Sequence, residues 1–426
     1  MAPTSRPDAE NLPPISFTLM AGDMNREPRY TEEMREWVNE RWDPAGDLVG
    51  WRTELARSGW GNPSWPTEWF GRNLPPSSEA VCRQILHDAG AVGMASGVST
   101  YLVAPTLLEW ATDEQRDQFL LPILTGAHKW CQLFSEPGAG SDLASLATRA
   151  ERDGDEWVIS GQKVWNSGAQ KADFGILLAR TNNDSSKHQG ISFFLIPMQQ
   201  AAVEVRPLHQ MNGHSSFNEV FLDEARVPAA NLISQEGDGW RVALTTLAHE
   251  RSAVATPRPK FPVNESPLVK AAKREADEYF ATYSWYPQRA GRPKLVLPQA
   301  RNLGRQNDPL VRNLVAQIEE LRRTSVWTTK RASAARRAGR PPGPEGSVAK
   351  LNMSVTAKKS ARAHSTILGT HGVLTGTSVT PNELIAEVLV STPAQSIAGG
   401  TDEIQKNIIG ERVLGLPKEP KGNTDE

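Results

Sequence analysis

The hydrophobic repeat of this chain changes twice, and that change limits what the chain can fold into. From about residue 32 to residue 127 apolar residues fall three and four apart, as in YTEEMREWVNERW and SSEAVCRQILHDAGA. This is the spacing of helices with one buried face. Pro-rich turns, NPSWPTEW and NLPPSSE, separate those runs. From Trp130 to about Pro228 the period shifts toward two. EWVISGQKVWNSG, FGILLARTN, GISFFLIP, VEVRPL and NEVFLDEARVP are short β-branched or aromatic runs punctuated by Gly, Asn, Asp and Pro. They predict a small domain of antiparallel strands. From Gly239 onward long amphipathic helices return, in lengths that suit a bundle.

The expected fold class is therefore α+β. An N-terminal helical domain spans 1–128, a middle β-domain 129–236, and a C-terminal helical domain 237–426. The stretch around 256–298 breaks the last pattern. It is rich in Pro and charge around one candidate helix, LVKAAKREADEYFATYSW, and reads as an insertion or lid-like loop. RPPGPEG near Arg340 reads as an interhelical turn and KEPKGNTDE as a frayed tail.

Composition excludes several classes of function. A net charge of −2 argues against a general nucleic-acid binder. The two cysteines, Cys82 and Cys131, are far apart and form no CxxC, so neither a disulfide framework nor a metal site is expected. No apolar run is long enough for a membrane span, and the polar N-terminus has no secretory signal, so the expected location is cytoplasmic. The thirteen tryptophans read mainly as core and interface anchors.

The chemistry is concentrated in a few segments. In WCQLFSEPGAGSDLASL, Trp130 to Leu146, a strand-like run feeds a turn rich in Gly and small hydroxyl residues. Gly138 and Gly140 permit close backbone approach and positive φ. Alone, that Gly-x-Gly lacks the third glycine of a dinucleotide fingerprint and reads as an ordinary turn. The whole segment is more specific, and it resembles the signature of the acyl-CoA dehydrogenase family. The resemblance continues through Ile159 to Ala169 (ISGQKVWNSGA), through Phe217 to Phe221 and Arg226 to Pro228, and through AGGTDEIQ from Ala398 to Gln405. These segments occur in the family's order over nearly the whole chain apart from 256–298.

The resemblance implies FAD held between the β-domain and the C-terminal helices, partly across a subunit interface. It assigns cofactor contacts to Gln132, Leu133, Phe134, Ser135, Ser141, Trp165, Asn166 and Ser167. Trp165 matches a ring packed on the isoalloxazine. Ser167 matches a hydroxyl near flavin N5, with serine where threonine is common. Thr401, Asp402 and Glu403 match a helix start that contacts FAD, and free N–H groups at such an end suit a pyrophosphate. Arg301 resembles an arginine reaching the FAD of a neighbouring subunit, and Gly369 belongs to a cofactor-adjacent turn.

The implied reaction is α,β-dehydrogenation of an acyl-CoA thioester: a base takes the α-proton and flavin N5 takes the β-hydride. Here the chain departs from the commonest pattern, because Gly399 stands where many members carry the catalytic Glu. A second family arrangement puts the Glu on the first long C-terminal helix, which reads Leu247-Ala248-His249-Glu250-Arg251 here. Glu250 is the expected base. Arg251 and Ser141 are the expected substrate contacts. On periodicity alone, Glu250 would read as an ion-paired helix residue.

The resemblance further implies self-association as a dimer or tetramer, alone or with a different chain, and an electron-transfer flavoprotein as acceptor. The expected role is fatty-acid or steroid side-chain catabolism. Two other readings stay open: a non-catalytic or half-site FAD-binding subunit of a hetero-oligomer, and a related flavin oxidase or monooxygenase.

Overall fold

The structure is a computed structural model and describes residues 29–253, 258–337, 345–373 and 380–417. The turn expected near residue 340 and the expected tail from 418 lie outside the described residues. Five helices come first: α1 (Arg29–Arg41), α2 (Leu48–Arg57), α3 (Ser78–Asp88), α4 (Ala104–Trp110) and α5 (Asp113–Thr125). Their ends are set locally. Asp47 caps α2 by accepting from the Gly50 amide at 2.7 Å. Thr112 and Gln115 form a reciprocal capping box at the start of α5, and Gly126 ends that helix at φ +84°.

Eight strands form one mixed sheet: β1 (Trp130–Leu133), β2 (Arg149–Asp153), β3 (Glu156–Val164), β4 (Phe174–Arg180), β5 (Ile191–Pro197), β6 (Val203–Leu208), β7 (Phe217–Pro228) and β8 (Leu232–Ile233). Their order is β6-β7-β3-β2-β4-β5-β8, with β1 on β4. The expectation of antiparallel strands needs one correction: β1 and β2 both pair with β4 in parallel. Both faces of β4 and β5 are covered. Ile176, Leu178, Phe193 and Leu195 join a core shared with Leu107, Phe119 and Ile123 of α4 and α5. Leu177, Ala179, Phe194 and Ile196 turn the other way, onto Trp157, Val220 and Val227. That double burial explains why FGILLA and ISFFLIP are apolar at every position but Ser192.

The remaining helices are α6 (Gly239–Ala253), α7 (Pro267–Ala281), α8 (Tyr286–Arg289), α9 (Val296–Asn302), α10 (Pro309–Arg337), α11 (Glu345–Leu368), α12 (Thr380–Ser391), α13 (Pro393–Ile397) and α14 (Asp402–Arg412). α6 lays Val242 and Ala243 onto the sheet core. Val296, Ala300, Val311, Leu314, Ile318, Ala363 and Ile367 make a separate core among α9, α10 and α11. In the stretch read as an insertion or lid-like loop, the candidate helix is present as α7, and α8 and the start of α9 add further helix. Leu268, Val269 and Ala272 of α7 pack among Met34, Val38, Trp51 and Leu55 in the N-terminal core. Arg52, buried in that core, reaches Glu275 of α7 at 2.7 Å. Among the described residues no helix is long and apolar enough to cross a membrane.

Candidate active site

Strand β3 runs out at Val164 into a tight turn, and that turn carries Trp165 and Ser167. Trp165 sits at φ +66° and Gly168 at φ +71°, so a bulky residue occupies the left-handed region, at roughly 1–2 kcal/mol of strain. Neighbours hold it there. Asn166 and Asn218 exchange both backbone hydrogen bonds at 3.1 Å. The Asn166 Nδ2 donates to the Gln132 carbonyl of β1 at 2.7 Å. Asn218 Nδ2 donates to the Asn166 carbonyl at 2.8 Å. The indole is 55% exposed, with Phe217 standing edge-on to it at 5.7 Å.

The glycine-rich turn lies beside it. Val164 donates to the Ser135 carbonyl at 2.9 Å, and Lys163 reaches Glu136 at 2.8 Å. Leu133 and Phe134 are buried in opposite cores, so only their backbone is available to a ligand. Ser141 is exposed. Gly138 and Gly140 do not use the left-handed region, and a Cβ on either would meet nothing within 4 Å. The protein itself does not require glycine there; what it leaves is bare, open backbone.

Ser167 and Gly168 also line a cleft of about 130 Å³, together with Gly97, Tyr279, Tyr283 and the charged residues Lys129, Lys171 and Glu278. The Tyr101 and Tyr279 hydroxyls are 2.9 Å apart. The Tyr283 ring stands edge-on to that of Tyr279 at 5.2 Å and lines the cleft with Ser167. Burial first, and then neighbouring charge, push the hydroxyls of Tyr101 and Tyr283 well above the phenol range and that of Tyr286 up to about 12. The charge of Glu250, half-buried on α6, contributes to all three shifts. The base expected on α6 and the hydroxyl expected beside the flavin thus share one group of tyrosines. The side chain of Arg251 lies outside the described residues.

The other expected residues belong to a second group, on the C-terminal helices. Thr401 caps α14 through its hydroxyl, and Gly399 and Gly400 precede it at φ +70° and +82°. The Asp402 carboxylate is buried and taken by Lys358 at 2.7 Å and Lys350 at 3.5 Å. Glu403 and Arg301 are exposed, and Gly369 is an exposed turn residue at φ +57°. Among the described residues no hydrogen bond joins this group to the Trp165 turn.

Tyr279, Tyr283 and Tyr286 were not singled out from the sequence. Their spacing of four and three residues, which puts side chains on one helical face, was the available signal.

The sequence matches the acyl-CoA dehydrogenase N-terminal domain over residues 27–127, the middle domain over 131–225 and the C-terminal domain over 299–414. The chain belongs to the acyl-CoA dehydrogenase family. It is 35% identical over 382 residues to an acyl-CoA dehydrogenase of Mycobacterium tuberculosis, IpdE1, covering 87% of this chain and 89% of that one. Among solved structures it is similar to the Tcur3481-Tcur3483 steroid ACAD, with a TM-score of 0.63 and 26% identity, covering 92% of this chain and 99% of that one. The ChsE4-ChsE5 complex from Mycobacterium tuberculosis gives 0.62 and 26%, with the same coverage.

Acyl-CoA dehydrogenases generally depend on FAD, and the residues around Trp165 fit a flavin. The indole is exposed on a strained turn, the strand that carries it is bonded to the open glycine-rich turn, and the buried Oδ1 of Asn166 has no hydrogen-bond partner in the protein.

Proposed function

We propose that this acyl-CoA dehydrogenase binds FAD on the Trp165 turn and uses Glu250 to take the α-proton of an acyl-CoA thioester. The observation that carries the reading is the cleft that Ser167 of the β3–β4 turn lines together with Tyr279 and Tyr283, where the charge of Glu250 on α6 acts on Tyr101, Tyr283 and Tyr286. The indole of Trp165, the backbone of Gln132 to Ser135, the Asn166 amide and the Ser167 hydroxyl would hold the isoalloxazine. Bound there, FAD supplies the acceptor for the β-hydrogen and its electron pair.

The chain's own work is to bind, orient and move one proton. Glu250 receives the α-proton, and the tyrosine rings beside it limit the access of water to the carboxylate. Ser141 and Arg251 are proposed to contact the CoA-linked part of the substrate. Thr401, Asp402, Glu403, Arg301 and Gly369 lie apart from the Trp165 turn in one chain, which suits contacts to FAD across a subunit interface. Because the Asp402 carboxylate is held by lysines, its contribution there would come from the backbone of the helix start. An electron-transfer flavoprotein is the proposed acceptor. The likeness to a structure titled as a steroid ACAD supports a bulky, steroid-derived acyl chain.

A second reading has a specific basis. Two of the similar structures bear titles that join two named chains, which supports a hetero-oligomer in which this chain completes a partner's site.

Glu250→Gln, purified as the full chain, should retain FAD and lose acyl-CoA-dependent flavin bleaching. Near-normal bleaching would remove Glu250 from the role. A wild-type chain that takes up FAD only with a second subunit would favour the hetero-oligomer.

A further inference from the structure

A pocket that takes a hydrocarbon chain is walled mainly by apolar side chains, with a few polar groups among them. The cleft at Ser167 and Gly168 reverses that proportion. Its apolar side chains are Ala95, Val98, Ile123 and Trp130. Apart from its glycines, the rest of its wall carries hydroxyl, amide, imidazole or charged groups. Hydroxyl residues come from both sides, Ser99 and Thr100 from the turn before α4, Tyr279 and Thr282 from the end of α7.

Tyr279 is placed closely. Its hydroxyl lies 2.9 Å from that of Tyr101. Its ring closes on Gly97, which sits at φ +141°, and a Cβ there would come within 3.3 Å of two ring carbons. Two paired phenol hydroxyls use one of their two protons between them, so the pair retains the capacity to donate to a further oxygen. Phenylalanine would fill the same space without the cost of desolvating O–H groups.

The charged groups around the cleft balance. Lys129 and Lys171 both meet Glu278, and Glu275 is held by Arg52 at 2.7 Å. Asp173 accepts from the Lys129 amide at 2.8 Å. Three cations thus stand with three carboxylates, which leaves no excess positive charge among these residues to hold an anion.

We infer that this cleft receives the far end of the acyl chain and selects chains that carry a neutral hydroxyl or keto oxygen there, with Tyr279 as the residue that determines the preference. An alkyl chain entering the cleft strips water from the hydroxyl and charged groups and replaces none of their hydrogen bonds. A chain bearing oxygen replaces some of them. The inference rests on the acyl-CoA reading above and adds the chemical class of the chain. Tyr279 lies in the gap between the middle-domain match, which ends at residue 225, and the C-terminal match, which begins at 299. The preference therefore comes from the 256–298 stretch, outside the segments that carry the family resemblance.

The test uses the full-length, FAD-loaded chain. The probes are octanoyl-CoA, its derivatives hydroxylated on carbon six, seven or eight, its keto derivative on carbon seven, and octanedioyl-CoA as the anionic counterpart. The readouts are kcat/KM for flavin bleaching in the wild type and Kd by calorimetry in Glu250→Gln. At least one oxygen-bearing neutral chain should exceed octanoyl-CoA by about a hundredfold in kcat/KM, with a tighter Kd, and octanedioyl-CoA should not. Tyr279→Phe should cut that preference about tenfold, with the loss falling on the oxygen-bearing chain. Octanoyl-CoA used and bound as well as every oxygen-bearing chain overturns the inference, and so does a preference for octanedioyl-CoA. A Tyr279→Phe loss of equal size for octanoyl-CoA and its derivatives, which a change of packing alone would give, also overturns it. If Tyr279→Phe does not fold, Tyr101→Phe removes the other hydroxyl of the pair and should narrow the preference in the same direction; an unchanged preference there overturns the inference. Bleaching that persists in Glu250→Gln defeats the base assignment alone, since the preference is then read from the wild type. A bleaching-dead Glu250→Gln beside a wild type without preference defeats this inference alone.

Discussion

Lys163 meets Glu136 at 2.8 Å inside the protein, the lysine fully buried and the glutamate nearly so. The pair joins the strand that delivers Trp165 to the turn that carries Gly138 and Gly140. Both partners make further bonds. Glu136 accepts from the amides of Ala147 at 2.6 Å and Thr148 at 2.9 Å, and Lys163 also donates to the Phe134 carbonyl at 3.1 Å. Burial pulls the Lys163 ammonium down to about 8 against the pull of Glu136. Lys163→Met should therefore leave a buried carboxylate without its counter-charge and cost about 3–5 kcal/mol. Urea unfolding would show a lower midpoint. Adding Glu136→Gln to it should restore part of the loss, and a Lys163→Met midpoint equal to wild type would mean the pair holds nothing together.

The same pair and a second one predict how stability changes with acid. Burial pushes the Glu136 carboxyl up, but Lys163 and the two backbone donors outweigh it and hold the group below the ordinary carboxylate range. Asp402 behaves alike: burial raises it, and the Lys358 and Lys350 side chains overcome that. In both cases the unfolded chain takes up its proton at a higher pH than the folded chain does. The stabilisation is thus complete above the ordinary carboxylate range and is lost as pH falls through the folded values. Unfolding midpoints should stay level from neutrality to about pH 5 and drop below about pH 4. Glu136→Gln should flatten that acid slope, and an unchanged slope would mean that Glu136 does not set it.

These pairs also show where reading a sequence stops. The Trp165 to Gly168 turn was legible because several unusual residues stand in fixed local order. The double-faced strands were legible because nearly continuous apolar runs, FGILLA and ISFFLIP with only Ser192 polar, need cover on both sides. Lys163 was not: in an alternating strand it looks like a solvent-facing residue, and only the fold brings Glu136 beneath it. Asp402 was read as part of a cofactor-binding helix start, since nothing local announces Lys358 and Lys350 from α11. α7 was legible as a candidate helix, but the proline and charge on either side of it hid its packing into the N-terminal core. Its buried stripe of Leu268, Val269, Ala272 and Ala276 is narrow, and its tyrosine face serves the cleft rather than the core.

The glycines allow a sharper separation of fold from function. Gly138 and Gly140 have open space at the Cβ position and no left-handed φ, whereas Gly168 sits at φ +71°. Gly138→Ala should leave the stability of the flavin-free chain within about 0.5 kcal/mol of wild type. It should nevertheless weaken FAD retention, because the new methyl stands on the open backbone of the turn that is bonded to the Trp165 strand through Ser135 and Glu136. Gly168→Ala should instead cost about 1–2 kcal/mol with or without FAD, from backbone strain. Thermal unfolding with and without added FAD separates the two. Equal FAD retention in Gly138→Ala and wild type would argue that the open glycines face no cofactor.

Two carboxylates of α7 are ion-paired to other elements, and burial sets them apart. Arg52 is only 3% exposed and donates to the Thr125 carbonyl at 2.9 Å, to Glu275 at 2.7 Å and to the Gly93 carbonyl at 3.3 Å. Glu278, by contrast, meets Lys171 and Lys129 in the open at the edge of the cleft. Arg52→Met removes donors from acceptors that water cannot readily reach, and should cost about 2–3 kcal/mol. Glu278→Gln breaks a solvated pair and should cost under about 1 kcal/mol. The two substitutions differ in consequence for the cleft as well. Loss of Arg52 frees α7 from the N-terminal core and should speed amide exchange along 267–281, carrying Tyr279 and Tyr283 with it. A stable, slowly exchanging α7 in Arg52→Met would mean that Leu268, Val269 and Ala272 hold the helix without it.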